Sequence, residues 1–359
     1  MSTGPIGVDM SEVNKLAADL VAASFATLPM AEKVLEVGAV KIKKGAQRNI
    51  RAADKAGRLP AYPSAITYDT ATHGTKVTAD PLELINAEDV DAVVVCSPTS
   101  THVDLISASI DAGVHVLCEK PIDLDITRVD ALRAKAAAAT IKIALGFNRR
   151  FDQQFAEIQK RVAAGEIGNL EQVTIISRDP APAPKAYLEV SGGIFRDMTI
   201  HDFDMARFFV PNITEVTAVG ANSFSDDIKS IGDFDSVVVT LKGAKNELIS
   251  ITNSRHASYG YDQRLEAFGS KGALLATNVA PTTVKLYNDS VVEARAPYME
   301  FFLERYAYAY SHELEQFILS IANGEVLNPT FEDGRAALIL ADAAQLSAET
   351  GKTVKVDLS

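Results

Sequence analysis

From Lys76 onward the chain alternates short, unbroken apolar runs with longer stretches of helical period. Asp91-Ala92-Val93-Val94-Val95-Cys96 is apolar at successive positions, as a strand buried on both faces is. It ends in Ser97-Pro98-Thr99, and the spacing predicts a helix from about Thr101 to Ala112. His115-Val116-Leu117-Cys118 is the next strand, closed by Glu119-Lys120-Pro121, and Lys142 to Phe147 is a third. Asp80 to Ala87 and Asp125 to Ala139 are further helices, the latter with Asp125 at its start. Strand–helix–strand–helix–strand with short links predicts a doubly wound parallel α/β sheet. Such sheets bind ligands outside the carboxyl ends of their strands. That rule places Ser97, Pro98, Thr99, Glu119, Lys120, Asn148 and Arg150 along one rim.

After Phe151 the period changes. A helix carrying Phe155, Ile158 and Val162 ends near Gly165, and Gln172 to Ser177 is a strand. A Pro-rich loop, Asp179 to Pro184, leads to Ser191-Gly192-Gly193. Strand-like runs follow at Glu215–Gly220, Ser236–Lys242, Glu247–Asn253, Gln263–Phe268, Ala273–Thr277 and Thr283–Tyr287. Consecutive strands without intervening helices predict a large open, mostly antiparallel sheet. Met299 to Asn323 and Phe331 to Thr350 are helices, and Lys352 to Leu358 is a candidate edge strand. The expected domains are 1–147 and 148–359, with the last residues candidates to pack back on the first domain. An open sheet face usually finds a partner, so a homodimer or homotetramer is expected.

Residues 1–80 are less regular. Ser11 to Thr27 has Val13, Leu16, Leu20 and Val21 at helical spacing, and Val34 to Ile42 fits either a strand or the end of a second helix. Lys41 to Arg58 is basic; a solvated helix face is the ordinary reading, a phosphate-facing patch the functional one. The chain as a whole carries a net charge of −12, which argues against nucleic-acid binding. No run of about 18 apolar residues is present, so no membrane span is expected. Glu12, Lys15 and Asp19 spoil residues 11–29 as a signal-peptide core. The two cysteines, Cys96 and Cys118, lie in apolar runs, which suggests core thiols in a reducing, cytoplasmic compartment. No metal site is expected.

The chemistry concentrates in Ser191 to Asp204. A Gly pair runs into a helix with Asp197 near its start, where a carboxylate suits the positive end of the dipole. Asp197 and His201 are four apart, on one helical face. A surface ion pair has this spacing; so does a His–carboxylate couple that moves a proton near neutral pH.

Other strings fall in order with this one: Cys96-Ser97-Pro98-Thr99 with His102, Glu119-Lys120-Pro121, Gly146-Phe147-Asn148-Arg149-Arg150-Phe151-Asp152, and Tyr259-Gly260-Tyr261-Asp262. Over roughly residues 76–350 the set resembles the glucose–fructose oxidoreductase / inositol dehydrogenase (Gfo/Idh/MocA) family, and within it the inositol 2-dehydrogenase branch. The resemblance implies a Rossmann-like dinucleotide-binding domain followed by a substrate-binding, oligomerising α/β domain. It implies oxidation of a secondary alcohol of a cyclic polyol, myo-inositol first, with NAD as cofactor and NADP left open. Lys120, Asp197 and His201 match the family's catalytic positions. Arg150, Asp179, Tyr259 and Tyr261 match places that touch the polyol, and Ser97, Thr99, His102, Glu119 and Asn148 match or neighbour cofactor contacts. Tyr259 and Tyr261, alternating at a strand end, are expected to face one side.

One feature of the family is missing. It begins with a strand, a Gly-x-Gly-x-x-Gly turn and a helix whose N-terminus holds a pyrophosphate. The glycines of residues 1–80 are Gly4, Gly7, Gly38, Gly45, Gly57 and Gly74, and no three have that spacing. Either a remodelled N-terminus with the basic run 41–58 holds the dinucleotide, or the chain is a non-catalytic sugar-binding or regulatory protein on the same scaffold. A dehydrogenase of another sugar or inositol isomer stands as a further reading, since pocket loops set substrate choice.

Overall fold

The computed structural model describes residues 37–42, 66–67, 80–88 and 90–359. The expected helix Ser11–Thr27 and nearly all of the basic run after Lys41 lie outside the described residues. Contacts divide the chain into two units: residues 1–147 with Tyr310–Arg335, and Asn148–Ala309 with Ala336–Ser359.

The first unit is built on a five-stranded sheet. Its strands are β1 (Val37–Ile42), β2 (Ile66–Thr67), β3 (Ala92–Val95), β4 (His115–Glu119) and β5 (Ile143–Gly146), in the order β2-β1-β3-β4-β5. β3, β4 and β5 are parallel, with Val95 opposite Cys118 and Cys118 opposite Leu145. All four residues of β3 are buried, as its unbroken apolar run requires. Helices α1 (Pro81–Ile85), α2 (His102–Ala112) and α3 (Ile126–Ala138) connect or flank these strands. Asp80 caps α1 by accepting from Leu82 N at 2.9 Å, and Asp125 caps α3 by accepting from Thr127 N at 2.8 Å. β1 is a strand, as one of its two expected readings has it, but it joins β3 antiparallel. The sequence before Asp80 lacks the glycine turn that feeds a first strand into a parallel crossover.

The C-terminal third contributes to this unit, which the expected boundary at 148 does not allow for. Leu314, Phe317, Ile318 and Leu327 join Ala92, Val94, Leu117 and Ala144 in one buried cluster. Burial of each large apolar side chain stabilises by about 1.5–3 kcal/mol. Thr330 forms a β-bridge to Ala144, and Leu145 N donates to Pro329 O at 3.2 Å. Arg335 Nε pairs with Asp130 at 2.6 Å.

The second unit carries a seven-stranded sheet. Its strands are β6 (Leu170–Arg178), β7 (Ile213–Ala221), β8 (Ser236–Gly243), β9 (Leu248–Ser254), β10 (Asp262–Gly269), β11 (Gly272–Ala276) and, after a small hairpin of β12 (Lys285–Leu286) and β13 (Ala294–Arg295), β14 (Val354–Lys355). The order is β11-β10-β6-β9-β8-β7-β14, antiparallel throughout except for the β6/β9 pair. The last residues thus complete this sheet. Alternation is strict in β8: Val237, Val239 and Leu241 are buried, Val238 and Thr240 exposed. The buried side meets α4 (Gln153–Ala163) and α7 (Ile200–Phe209). The other side leaves Val219, Val238, Leu248, Phe268 and Leu275 exposed.

The remaining helices are α5 (Lys185–Leu188), α6 (Gly193–Asp197), α8 (Asp226–Ser230), α9 (Phe302–Arg305), α10 (Ala307–Asn323) and α11 (Phe331–Thr350). The helix expected over Met299–Asn323 is interrupted at Tyr306, whose ring is buried edge-on to Tyr261 and whose hydroxyl donates to Gln263 Oε1 at 3.3 Å.

Candidate active site

In the first unit, Ser97, Thr99, Glu119 and Lys120 stand at the carboxyl ends of the parallel strands. Ser97 is buried, and its hydroxyl shares a hydrogen bond with Thr101 Oγ1 at 2.5 Å. Thr99 opens a single 3₁₀ turn over Thr99–Thr101. Glu119 ends β4 and accepts from Lys120 N at 3.3 Å. Burial raises its carboxyl above the usual range, against the Lys120 ammonium, which pulls it down. Gly146 makes room for it: a Cβ there would lie 2.8 Å from Glu119 Oε2. Hydroxyls, a carboxyl and an ammonium on this rim fit the ribose, amide and phosphate groups of a dinucleotide.

His102 departs from its expected role. It is 2 % exposed, with Nδ1 2.7 Å from Pro121 O and Nε2 2.9 Å from Ser97 O. Both ring nitrogens face the protein's own backbone, so the side chain is built into the interior of this unit. Burial holds its pKa below the ordinary histidine value, against the pull of the two carbonyls.

In the second unit, Gly192 and Gly193, both at positive φ (86° and 83°), turn the chain into α6. Asp197 is the last residue of α6, not an early one, and His201 lies in the first turn of α7. The two helices are distinct, joined through Met198 and Thr199, and Thr199 N reaches back five residues to Ile194 O at 2.9 Å. His201 is half-buried, and its N–H donates to Met198 O at 3.4 Å.

Both oxygens of Asp197 are held. Tyr187 Oη donates to Oδ1 at 2.8 Å, and Arg255 Nη1 to Oδ2 at 3.0 Å. Arg255 is a buried arginine, its side chain 2 % exposed. Burial disfavours its charge, yet the carboxylates of Asp197 and Asp233 hold its pKa above the ordinary value. The Asp197 charge, first, and burial raise the Tyr187 phenol well above its usual range, so it stays a donor. Asp233 takes Arg255 Nη2 at 3.5 Å and accepts from Ile194 N at 2.9 Å. One buried arginine, bridging two carboxylates, thus anchors both ends of α6.

Nearby polar residues form a structural layer. Arg149 Nη1 binds Asp202 at 2.5 Å, and Asn253 binds the other Asp202 oxygen at 2.7 Å. Arg150 is forked onto buried Asp204 at 2.8 and 2.6 Å, with its guanidinium over the Phe208 ring. The Asp179 N–H donates to Ser254 O at 2.9 Å. Asn148 is buried, and among the described residues its enclosed Oδ1 has no hydrogen-bond partner. Tyr259 and Tyr261 do not face one side. They precede β10 in a turn whose Gly260 has φ 106°, so Tyr259 is exposed and Tyr261 buried. Tyr259 Oη donates to Asp262 at 2.9 Å; burial raises the Tyr261 phenol well above its usual range.

Tyr187, Asp233 and Arg255 are absent from the sequence-derived candidates. Tyr187 follows a Pro-rich loop, and Asp233 and Arg255 flank strands at separations no helical or strand period links. Among the described residues no cluster of His, Cys, Asp and Glu has the makings of a metal site, and no helix is long and apolar enough to cross a membrane.

Comparison with known proteins places this geometry. Residues 44–147 match the oxidoreductase family described by its NAD-binding Rossmann fold, and residues 155–275 match the GFO/IDH/MocA C-terminal domain. The chain is 45 % identical over 298 residues to inositol 2-dehydrogenase of Rhizobium meliloti (strain 1021), covering 82 % of this chain and 89 % of the relative. The crystal structure of a myo-inositol dehydrogenase from Corynebacterium glutamicum ATCC 13032 is 50 % identical with a TM-score of 0.77, covering 99 % of this chain and 97 % of that one. Scyllo-inositol dehydrogenase from Lactobacillus casei, solved with bound NAD(H) and scyllo-inositol, is 31 % identical with a TM-score of 0.71, covering 77 % of this chain and 83 % of that one. On these matches across both halves, the chain belongs to the GFO/IDH/MocA family of oxidoreductases.

Proposed function

We propose that the protein is an NAD-dependent dehydrogenase that oxidises a secondary hydroxyl of a cyclic polyol, myo-inositol first, to the 2-keto product. The observation that carries the reading is the Asp197 carboxylate, fixed by Tyr187 and Arg255 in the α6–α7 segment that also presents His201. A neutral His201 accepts the alcohol proton, the task histidine side chains perform in general-base catalysis. Asp197 orients the imidazole and stabilises the imidazolium that results. The Lys120 ammonium stabilises negative charge developing on the alcohol oxygen as the carbonyl forms. The bound nicotinamide supplies the acceptor for the hydride. Ser97, Thr99 and Glu119 are the rim groups that would hold it, with Asn148 following β5. The solved relative with NAD(H) supports NAD. Tyr259, Arg150, Asp179 and Tyr261 shape the polyol side.

The exposed row of Val219, Val238, Leu248, Phe268 and Leu275 on one sheet face supports a homodimer or homotetramer formed through that face. Cys96 and Cys118, neither of them in a disulfide, support a cytoplasmic setting.

The test is incubation with NAD and myo-inositol while following absorbance of the reduced nicotinamide, with a polyol panel and NADP in parallel. Turnover on another polyol redirects the substrate. Polyol binding by calorimetry without turnover on either cofactor supports the non-catalytic reading that the missing glycine turn favours. Light scattering of the purified protein gives the assembly state.

A further inference from the structure

His102 occupies an unusual place for a polar residue at a helix start. It opens α2, yet it is 2 % exposed, and its two ring nitrogens face the carbonyls of Ser97 and Pro121 at 2.9 and 2.7 Å. Ser97 follows β3 and Pro121 follows β4, so the ring spans the ends of two neighbouring parallel strands. Pro121 is joined directly to Lys120. The neutral ring donates to one of these oxygens and the imidazolium to both. Asp123 and Lys120 are the charges that act on it, with opposite sign. We propose that His102 is a positioning residue: it ties the loop after β3 to the loop after β4 and thereby fixes where the Lys120 ammonium stands. The inference rests on the role given to Lys120 above. Misplacing a catalytic group by about 1 Å costs on the order of a hundredfold in rate, so release of this tie is expected in turnover more than in binding.

The experiment compares the full-length protein with His102→Phe, which fills the ring's space without a hydrogen bond, and with His102→Gln, which retains a donor. Amide hydrogen exchange at residues 97–101 and 120–124 is expected to speed up by about tenfold or more in the Phe variant. At saturating NAD and polyol, kcat is expected to fall by about tenfold to a hundredfold, while the NAD dissociation constant, measured by calorimetry, stays within about threefold. The Gln variant recovers part of kcat. Unchanged exchange in both loops overturns the tie. An NAD affinity weakened by about tenfold with kcat intact overturns it in favour of a direct cofactor contact. If neither variant folds, nitrogen-15 spectra of the labelled wild-type protein decide: a ring N–H protected from solvent exchange supports the tie, and a freely exchanging ring refutes it. Lys120→Ala runs in parallel. Normal turnover in that variant sinks the proposed chemistry, while the exchange result still reports on the loops.

Discussion

Replacing Arg255 with methionine removes the cation that joins Asp197 to Asp233. The side chains of Asp197, Asp233 and Arg255 are 11 %, 7 % and 2 % exposed, so little water reaches the carboxylates left behind. Removing one partner of a buried ion pair costs about 3–5 kcal/mol, because the remaining charge stays desolvated. For a unit of this size each kcal/mol lowers the melting midpoint by about 2–4 °C. The variant is therefore expected to melt on the order of 6–20 °C lower, followed by circular dichroism. Activity falls as well, because Asp197 loses the cation that holds its Oδ2. Arg255→Lys keeps the charge but not the fork, and belongs between the two. A methionine variant that melts within about 2 °C of wild type refutes the anchoring of α6 argued from this arginine.

Three other outcomes follow from the geometry. Lys120→Ala and His201→Ala each reduce kcat by about a hundredfold or more, as loss of a charge stabiliser or general base does; near-normal steady-state turnover in both withdraws their roles. Gly146→Ala forces a Cβ to within 2.8 Å of Glu119 Oε2 and 3.1 Å of its Cα, and should cost about 1–3 kcal/mol in urea unfolding; stability unchanged within about 0.5 kcal/mol contradicts that crowding. His115 Nδ1 accepts the Lys142 N–H at 2.8 Å, and burial, with Lys142, holds its pKa below 6.5 against Asp91. Its folded pKa is the lower one, so this contribution is complete above about pH 6.5 and is lost as pH falls toward the folded value, by up to about 1.4 kcal/mol per pH unit. His115→Asn should flatten that dependence in denaturant titrations from pH 7.5 to 5.5, and an equal slope in the variant removes His115 as its source.

The parallel strands β3, β4 and β5 and their helices were legible because buried strands are apolar at every position and helices carry capping residues such as Asp125. The strands of the second sheet were legible from alternation, as in Val237 to Leu241. What escaped depends on partners far along the chain. His102 resembles any polar residue at a helix start until Pro121, nineteen positions away, closes over it. Arg255 shows nothing locally of its place between Asp197 and Asp233. Tyr259 and Tyr261 share a strand-like spacing, but Gly260 bends the backbone into a region that breaks the alternation. The Asp197–His201 spacing was visible; the turn at Met198–Thr199 that separates their helices was not, since no residue there is a helix breaker.

Because Tyr310–Arg335 completes the first unit, the two units are not separable by a single cut of the gene. A ribosome that has just finished Phe147 has made β3, β4 and β5 but not Phe317 or Leu314, which cover Val94 and Leu117. At about 5–20 residues per second the missing cover arrives roughly 10–40 s later. During that interval the nascent sheet exposes an apolar face, so chaperone dependence during synthesis is a consequence of the chain's topology rather than of weak native contacts.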